Sequence, residues 1–134
     1  MKIVDTNIIL RFLLKDDEEQ SPKSLAIIKN NEIFILNEVF VEAIYVLRSI
    51  YKFPRDEIND IVQILLDEEN VVFQNKDIIE TTISTYTAKN LDVVDCMLYA
   101  YKKCENHNIE TFDKDLNKLL NSLDIIKKNK DNEE

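Results

Sequence analysis

Residues 1–7 read Met1-Lys2-Ile3-Val4-Asp5-Thr6-Asn7, and Ile8-Ile9-Leu10 follow. An apolar run that stops on an acid and two small polar residues predicts a buried strand, Lys2 to Asp5, whose last residue is a carboxylate. Residues 7–14 predict a short helix with Thr6 or Asn7 near its N-cap. Burying a carboxylate beside a core strand costs several kcal/mol unless a cation compensates. Asp5 is therefore the first candidate cation ligand.

The same grammar recurs downstream. An acidic turn, Asp16-Asp17-Glu18-Glu19, precedes a helix whose first turn holds Ser21-Pro22 and which ends at Asn30-Asn31. Leu25, Ile28 and Ala26 are expected to face inward there. Residues 33–36 predict a second strand. Asn37 then caps a strongly apolar helix over 38–51, with Val39, Phe40, Ala43, Ile44, Val46, Leu47 and Ile50 at helical spacing. Pro54 opens a helix over 55–68, residues 71–73 predict a strand, and residues 77–89 a helix. Residues 91–107 predict a helix with Val94, Met97, Leu98, Tyr101 and Cys104 as its buried stripe. A strand over 109–111, a helix from Asp115 to about Leu120 and an edge strand over 123–126 complete the reading. The remainder, 127–134, is a polar tail expected to fray. No repeat or linker divides the chain, so residues 1–126 are expected to be a single domain.

Strands alternating with helices imply a parallel sheet covered on both faces. The expected fold is α/β, with three layers, α/β/α, around a central parallel sheet of four or five strands. Functional groups in such sheets gather at the carboxyl ends of strands. Asp5 and Asp113 fall there. Asp92 and Asp95, three apart at a helix start, and Glu42, on the apolar face of its helix, are expected to point to the same edge. For Asp92 a dipole partner or cap is an equally plain role, and for Glu42 an edge position is the plain alternative. Carboxylates crowded at one edge repel each other unless a cation joins them, so Asp5, Glu42, Asp95 and Asp113 are read as converging on divalent metal.

Composition limits the chemistry. Glycine is absent, which excludes Gly-rich phosphate loops and dinucleotide fingerprints. One histidine, His107, excludes paired-histidine zinc motifs. Oxygen ligands favour magnesium or manganese. The net charge is −9, which disfavours a broad nucleic-acid binder. Residues 56–100 hold most of the excess, with two basic and ten acidic groups. Bound metal would offset part of it. No apolar run suggests a membrane span, and Asp5 and Arg11 interrupt any export signal. Cys96 and Cys104, eight apart on one helix, stand about 12 Å apart and cannot bridge. Free thiols without an export signal place the chain in the cytoplasm.

Three segments together carry a resemblance. IVDTNIILRFLL, NEVFVEAIYVLRSIY, and LDVVDCMLYAYKK followed by IETFDKDLNKL resemble the PIN domain of VapC-type toxin ribonucleases across nearly the whole chain. The resemblance places the family's acidic quartet on Asp5, Glu42, Asp95 and Asp113. It places accessory positions on Thr6, Asn7, Asp92, Thr111 and Asp115. Where relatives often carry glycine, Asn90 and Asn108 stand nearby, and asparagine tolerates left-handed backbone.

The resemblance implies metal-dependent endoribonuclease activity, as the toxin of a toxin–antitoxin pair. One or two Mg²⁺ or Mn²⁺ ions would be held by Asp5, Asp95 and Asp113, with Glu42 binding a second ion or orienting water. Thr6, Asn7, Thr111 and Asp115 would hold the carboxylates in place. The implied partners are an RNA substrate, a small antitoxin protein and a second copy in a homodimer, with no membrane. An Asp-nucleophile phosphatase is a rival, but it wants an acid where Asn7 stands. A receiver domain needs an acidic pair and a late lysine, neither of which is clear. A non-catalytic PIN-like binding module is the rival from another class.

Overall fold

Three short segments build a parallel β-ladder in the computed structural model, which describes residues 1–133. They are β1 (Lys2–Ile3), β2 (Ile33–Ile35) and β3 (Val71–Phe73), in the order β1-β2-β3. Lys2 pairs with Ile33 and Ile3 with Phe34, and Ile33, Phe34 and Ile35 pair with Val71, Val72 and Phe73. Between the strands lie α1 (Thr6–Leu14), α2 (Gln20–Asn30), α3 (Asn37–Ser49) and α4 (Arg55–Leu66). After β3 come α5 (Lys76–Ala88), α6 (Val93–Glu105) and α7 (Lys114–Glu133). The chain falls into two compact units, Met1–Lys76 and Asp77–Glu134.

In the first unit β2 is a run of β-branched and aromatic residues with Ile33 and Ile35 fully inside. Helix α1 packs on α2, α3 and α4 through Ile9, Leu10, Phe12 and Leu13. Helix α3 buries Phe40, Ala43, Ile44 and Leu47 at spacings of three and four. Ile50, expected inside, is exposed, as are Leu25 and Ala26 on α2. With no glycine available, α1 ends on Lys15 in the left-handed region at φ 53°, its N–H donating to the Arg11 carbonyl at 3.2 Å.

In the second unit α5 buries Ile78, Ile79, Thr82, Ile83, Thr85 and Tyr86. The Thr82 and Thr85 hydroxyls donate to the Ile78 and Thr81 carbonyls, so their burial leaves no orphan oxygen. Helix α6 buries Val93, Cys96, Met97 and Ala100, one step round from the expected stripe, leaving Val94 and Cys104 exposed. It ends on Asn106 at φ 59°. The left-handed positions are Lys15, Lys52 and Asn106, so neither Asn90 nor Asn108 plays that part. Helix α6 packs on α7, whose Leu116 and Leu120 are buried.

The α/β class with a parallel sheet stands; the expected four or five strands do not. Among the described residues three strands form. Residues 109–111 run without ladder partners, because Ile109 is alone among polar neighbours. Residues 123–126 continue α7, since Leu116, Leu119, Leu120 and Leu123 keep helical spacing. Residues 127–133, expected to fray, lie in that same helix, and Glu134 is outside the described residues. No helix among the described residues is long and apolar enough to cross a membrane.

Candidate functional site

In the first unit the chain leaves β1 and enters α1 within three residues, and that junction places Asp5. Its backbone is extended, at φ −88° and ψ 175°, and its Oδ1 accepts the Ile8 N–H at 3.1 Å. Asp5 is thus the N-cap of α1 itself, in place of Thr6 or Asn7. It is also exposed, so the expected burial penalty does not arise; the helix terminus supplies the partial positive charge instead. Thr6 is buried, and its hydroxyl donates to Glu42 Oε2 at 3.0 Å, fixing the Glu42 carboxylate on α3. Asp5, Thr6, Asn7 and Glu42 line one cleft of about 520 Å³ together with Leu10, Val39, Val46 and Ile50.

The same cleft is lined by Arg11 and Tyr51. Arg11 Nε donates to Gln20 at 3.2 Å, and its Nη1 donates to Asp16 at 3.0 Å and to the Tyr51 hydroxyl at 3.3 Å. The hydroxyl in turn donates to Asp16 Oδ2 at 3.0 Å. Bonds to Tyr51 and Asp16 raise the Arg11 pKa. Partial burial pushes the Asp16 carboxyl up, but the bonds from Tyr51 and Arg11 outweigh it and hold the group below its usual range. Sequence reasoning missed this network. Its one available signal was Arg11 as the sole charge within Ile8-Ile9-Leu10-Arg11-Phe12-Leu13-Leu14.

In the second unit Asp92 occupies the N-cap position of α6 with no side-chain cap bond, and Asp95 lies in the first turn. Burial pushes the Asp95 carboxyl above its ordinary pKa, and the charges of Asp113 and Asp92 push it further. Asp92 and Asp113 thus lie close enough to Asp95 for their charges to act on it. Asp113 caps α7: its Oδ1 accepts the Leu116 N–H at 2.8 Å. Its own N–H donates to Thr111 Oγ1 at 3.1 Å, and Asn117 Nδ2 donates to the Thr111 carbonyl at 2.8 Å. Asp113 replaces Asp115 as the cap of this helix. Asp115 instead lines a separate cleft of about 450 Å³ with Lys89, Asn90, Leu91, Lys118, Leu119 and Ser122.

The acids of interest are thus split, with Asp5 and Glu42 in the first unit and Asp92, Asp95 and Asp113 in the second. Among the described residues no three His, Cys, Asp or Glu side chains are gathered tightly enough to hold an ion as they stand. Asp5 and Asp113 each spend one carboxylate oxygen on a helix cap, with the other oxygen outside any hydrogen bond among the described residues. His107 bonds Glu105 and leans on the Tyr101 ring. Among the described residues neither cysteine forms a disulfide.

A family model for the PIN domain matches residues 2–120. The chain is also similar to a VapC ribonuclease of Aquifex aeolicus (strain VF5), 30% identical over 102 residues, covering 72% of this chain and 75% of the relative. No solved structure matches the chain significantly.

Proposed function

The chain belongs to the PIN domain family, and from that membership we propose that it is a metal-dependent endoribonuclease acting as the toxin of a toxin–antitoxin pair. The observation that carries the reading is Asp95. Asp95 is half-buried with Asp113 and Asp92 near enough for their charges to push its pKa up, an arrangement that a cation would relieve. The similar VapC ribonuclease supports RNA as the substrate.

By residue type, the donor set suits a hard divalent ion. It is all carboxylate oxygen, free of thiol and imidazole. Asp5, Asp95 and Asp113 would hold Mg²⁺ or Mn²⁺, one or two ions, and Glu42 would hold the second or orient water. Such an ion supplies positive charge against the phosphodiester and makes water more acidic. The chain's own residues do the positioning. The caps of α1 and α7 fix the Asp5 and Asp113 carboxylates, and the Thr6 hydroxyl fixes Glu42. Thr111 fixes the turn that carries Asp113. Asn7, Asp92 and Asp115 remain as accessory polar groups, with Asp115 on a cleft that none of the other acids lines. The match over residues 2–120 supports taking residues 1–126 as a single domain. A small antitoxin, a homodimer and a cytoplasmic setting follow from the same reading.

The test is cleavage of labelled single-stranded RNA with Mn²⁺, with EDTA, and by the Asp5→Asn and Asp95→Asn variants. Internal cuts that need Mn²⁺ and vanish in both variants are expected, with folding intact. Cleavage that survives EDTA, or that both variants perform at the wild-type rate, sinks the reading. Metal binding without any RNA cleavage would favour the non-catalytic binding module, and a phosphoryl group trapped on Asp5 the phosphatase.

A further inference from the structure

Phe112 is the most exposed large apolar side chain among the described residues, at 106% relative exposure. The other five phenylalanines are buried or half-buried. Among the described residues its ring stacks on no other ring and sits under no cation. The backbone on both sides of it is nevertheless fixed. Thr111 is held by the Asp113 N–H and by Asn117, and Asp113 is held by Leu116. A bare aromatic ring is therefore mounted on a pinned turn, one residue before a proposed catalytic carboxylate.

We propose that Phe112 is a stacking platform for a nucleobase of the RNA substrate, next to the phosphodiester handled at Asp113. This rests on the ribonuclease reading above. The Cα atoms of adjacent residues are about 3.8 Å apart, so a phosphate at Asp113 brings its own nucleoside within a side chain's length of the ring. Every base offers a π-face, and stacking on an aromatic side chain is a principal source of single-strand affinity. The surroundings suit a base better than a protein. Its sequence neighbours Glu110, Asp113, Lys114 and Asp115 are all exposed and charged. A protein interface needs a contiguous apolar centre, and Phe112 is the one apolar residue from Glu110 to Asp115. Lys114, the next residue but one, offers a charge for an adjoining phosphate.

The experiment compares the full chain with its Phe112→Ala, Phe112→Leu and Phe112→Trp variants on a short single-stranded RNA. Phe112→Ala and Phe112→Leu are expected to raise KM roughly tenfold, with melting temperature unchanged. Phe112→Trp is expected to restore KM. The chain has no tryptophan, so the indole of that variant reports alone, and its emission should change on adding RNA in EDTA. An unaltered KM in the alanine variant overturns the proposal. So does indole emission that ignores RNA while RNA binds by anisotropy. A change of oligomeric state in Phe112→Ala with RNA binding intact assigns the ring to a protein contact instead, and also overturns it. Indole quenching by RNA in a chain whose wild type does not cleave keeps the stacking site and removes the nuclease.

Discussion

Substituting Asp113 separates two jobs that the structure assigns to one side chain. The first four N–H groups of a helix lack intrahelical acceptors, and Asp113 Oδ1 takes that of Leu116 at 2.8 Å. Asp113→Ala removes this cap, at a cost of about 1 kcal/mol within a range of roughly 0.5–2. For a chain of this size that lowers the melting temperature by roughly 3–5 °C. Asp113→Asn keeps an oxygen in the same place, and asparagine caps nearly as well as aspartate. Losing the charge forfeits an interaction with the helix N-terminus of about 0.3–1 kcal/mol. It also relieves the repulsion felt by Asp95, which has the opposite sign. The asparagine variant should therefore melt within about 2 °C of wild type. Both variants should lose RNA cleavage, because both lack the second carboxylate oxygen's charge. Thermal unfolding by circular dichroism in EDTA, beside cleavage of labelled RNA in Mn²⁺, measures the two effects separately. Equal melting of the alanine and asparagine variants would refute the capping role. Wild-type cleavage by Asp113→Asn would refute the chemical one.

Two more outcomes follow from the cleft of the first unit. Asp16 has a folded pKa below its ordinary 3.8, so its stabilisation is present above that value and is lost as pH falls through the folded one. Asp16→Asn should lower the melting temperature slightly at pH 7, by less than about 1 kcal/mol for so exposed a pair. The difference should close in strong acid, and a gap that persists there would contradict the ion-pair origin. Thr6→Val removes the hydroxyl that orients Glu42. It should destabilise by about 1 kcal/mol and slow cleavage about tenfold, with Thr6→Ser restoring both. A valine variant that cleaves at full rate would show that Glu42 needs no such support.

Much of the fold was legible because its signals are local. The β2 and β3 segments are continuous apolar runs, and Ser21-Pro22 and Pro54 mark helix starts by their fixed backbone. The error at Asp5 is instructive. An N-cap residue has extended backbone, as a strand end does, so apolar pattern alone cannot tell the last strand residue from the first cap. The same ambiguity moved the α7 cap from Asp113 to Asp115. Residues 109–111 were read as a strand on one isoleucine, without the pairing partner that a strand requires. Asp5, Glu42 and Asp95 were legible because each interrupts an apolar stretch, whereas Asp113 was singled out at the end of a strand that does not form. The Arg11–Asp16–Tyr51 network was not, since Tyr51 lies forty positions from Arg11 and a tyrosine closing an apolar helix reads as core.

The capping geometry gives a ranking of stabilities that does not depend on activity. Asp5 and Asp113 each accept a backbone N–H at a helix N-terminus, where negative charge is favoured. Asp95 also lies in a helix first turn, but burial and the charges of Asp113 and Asp92 outweigh that and raise its pKa. In EDTA at neutral pH, Asp95→Asn should therefore raise the melting temperature. Asp5→Asn and Asp113→Asn should leave it nearly unchanged, and the two alanine substitutions should lower it. A residue that weakens the fold and whose removal also abolishes cleavage is retained for chemistry. If Asp95→Asn destabilised the apo protein, Asp95 would be a structural acid with a partner, and the reason for placing it at the centre of the metal site would be gone.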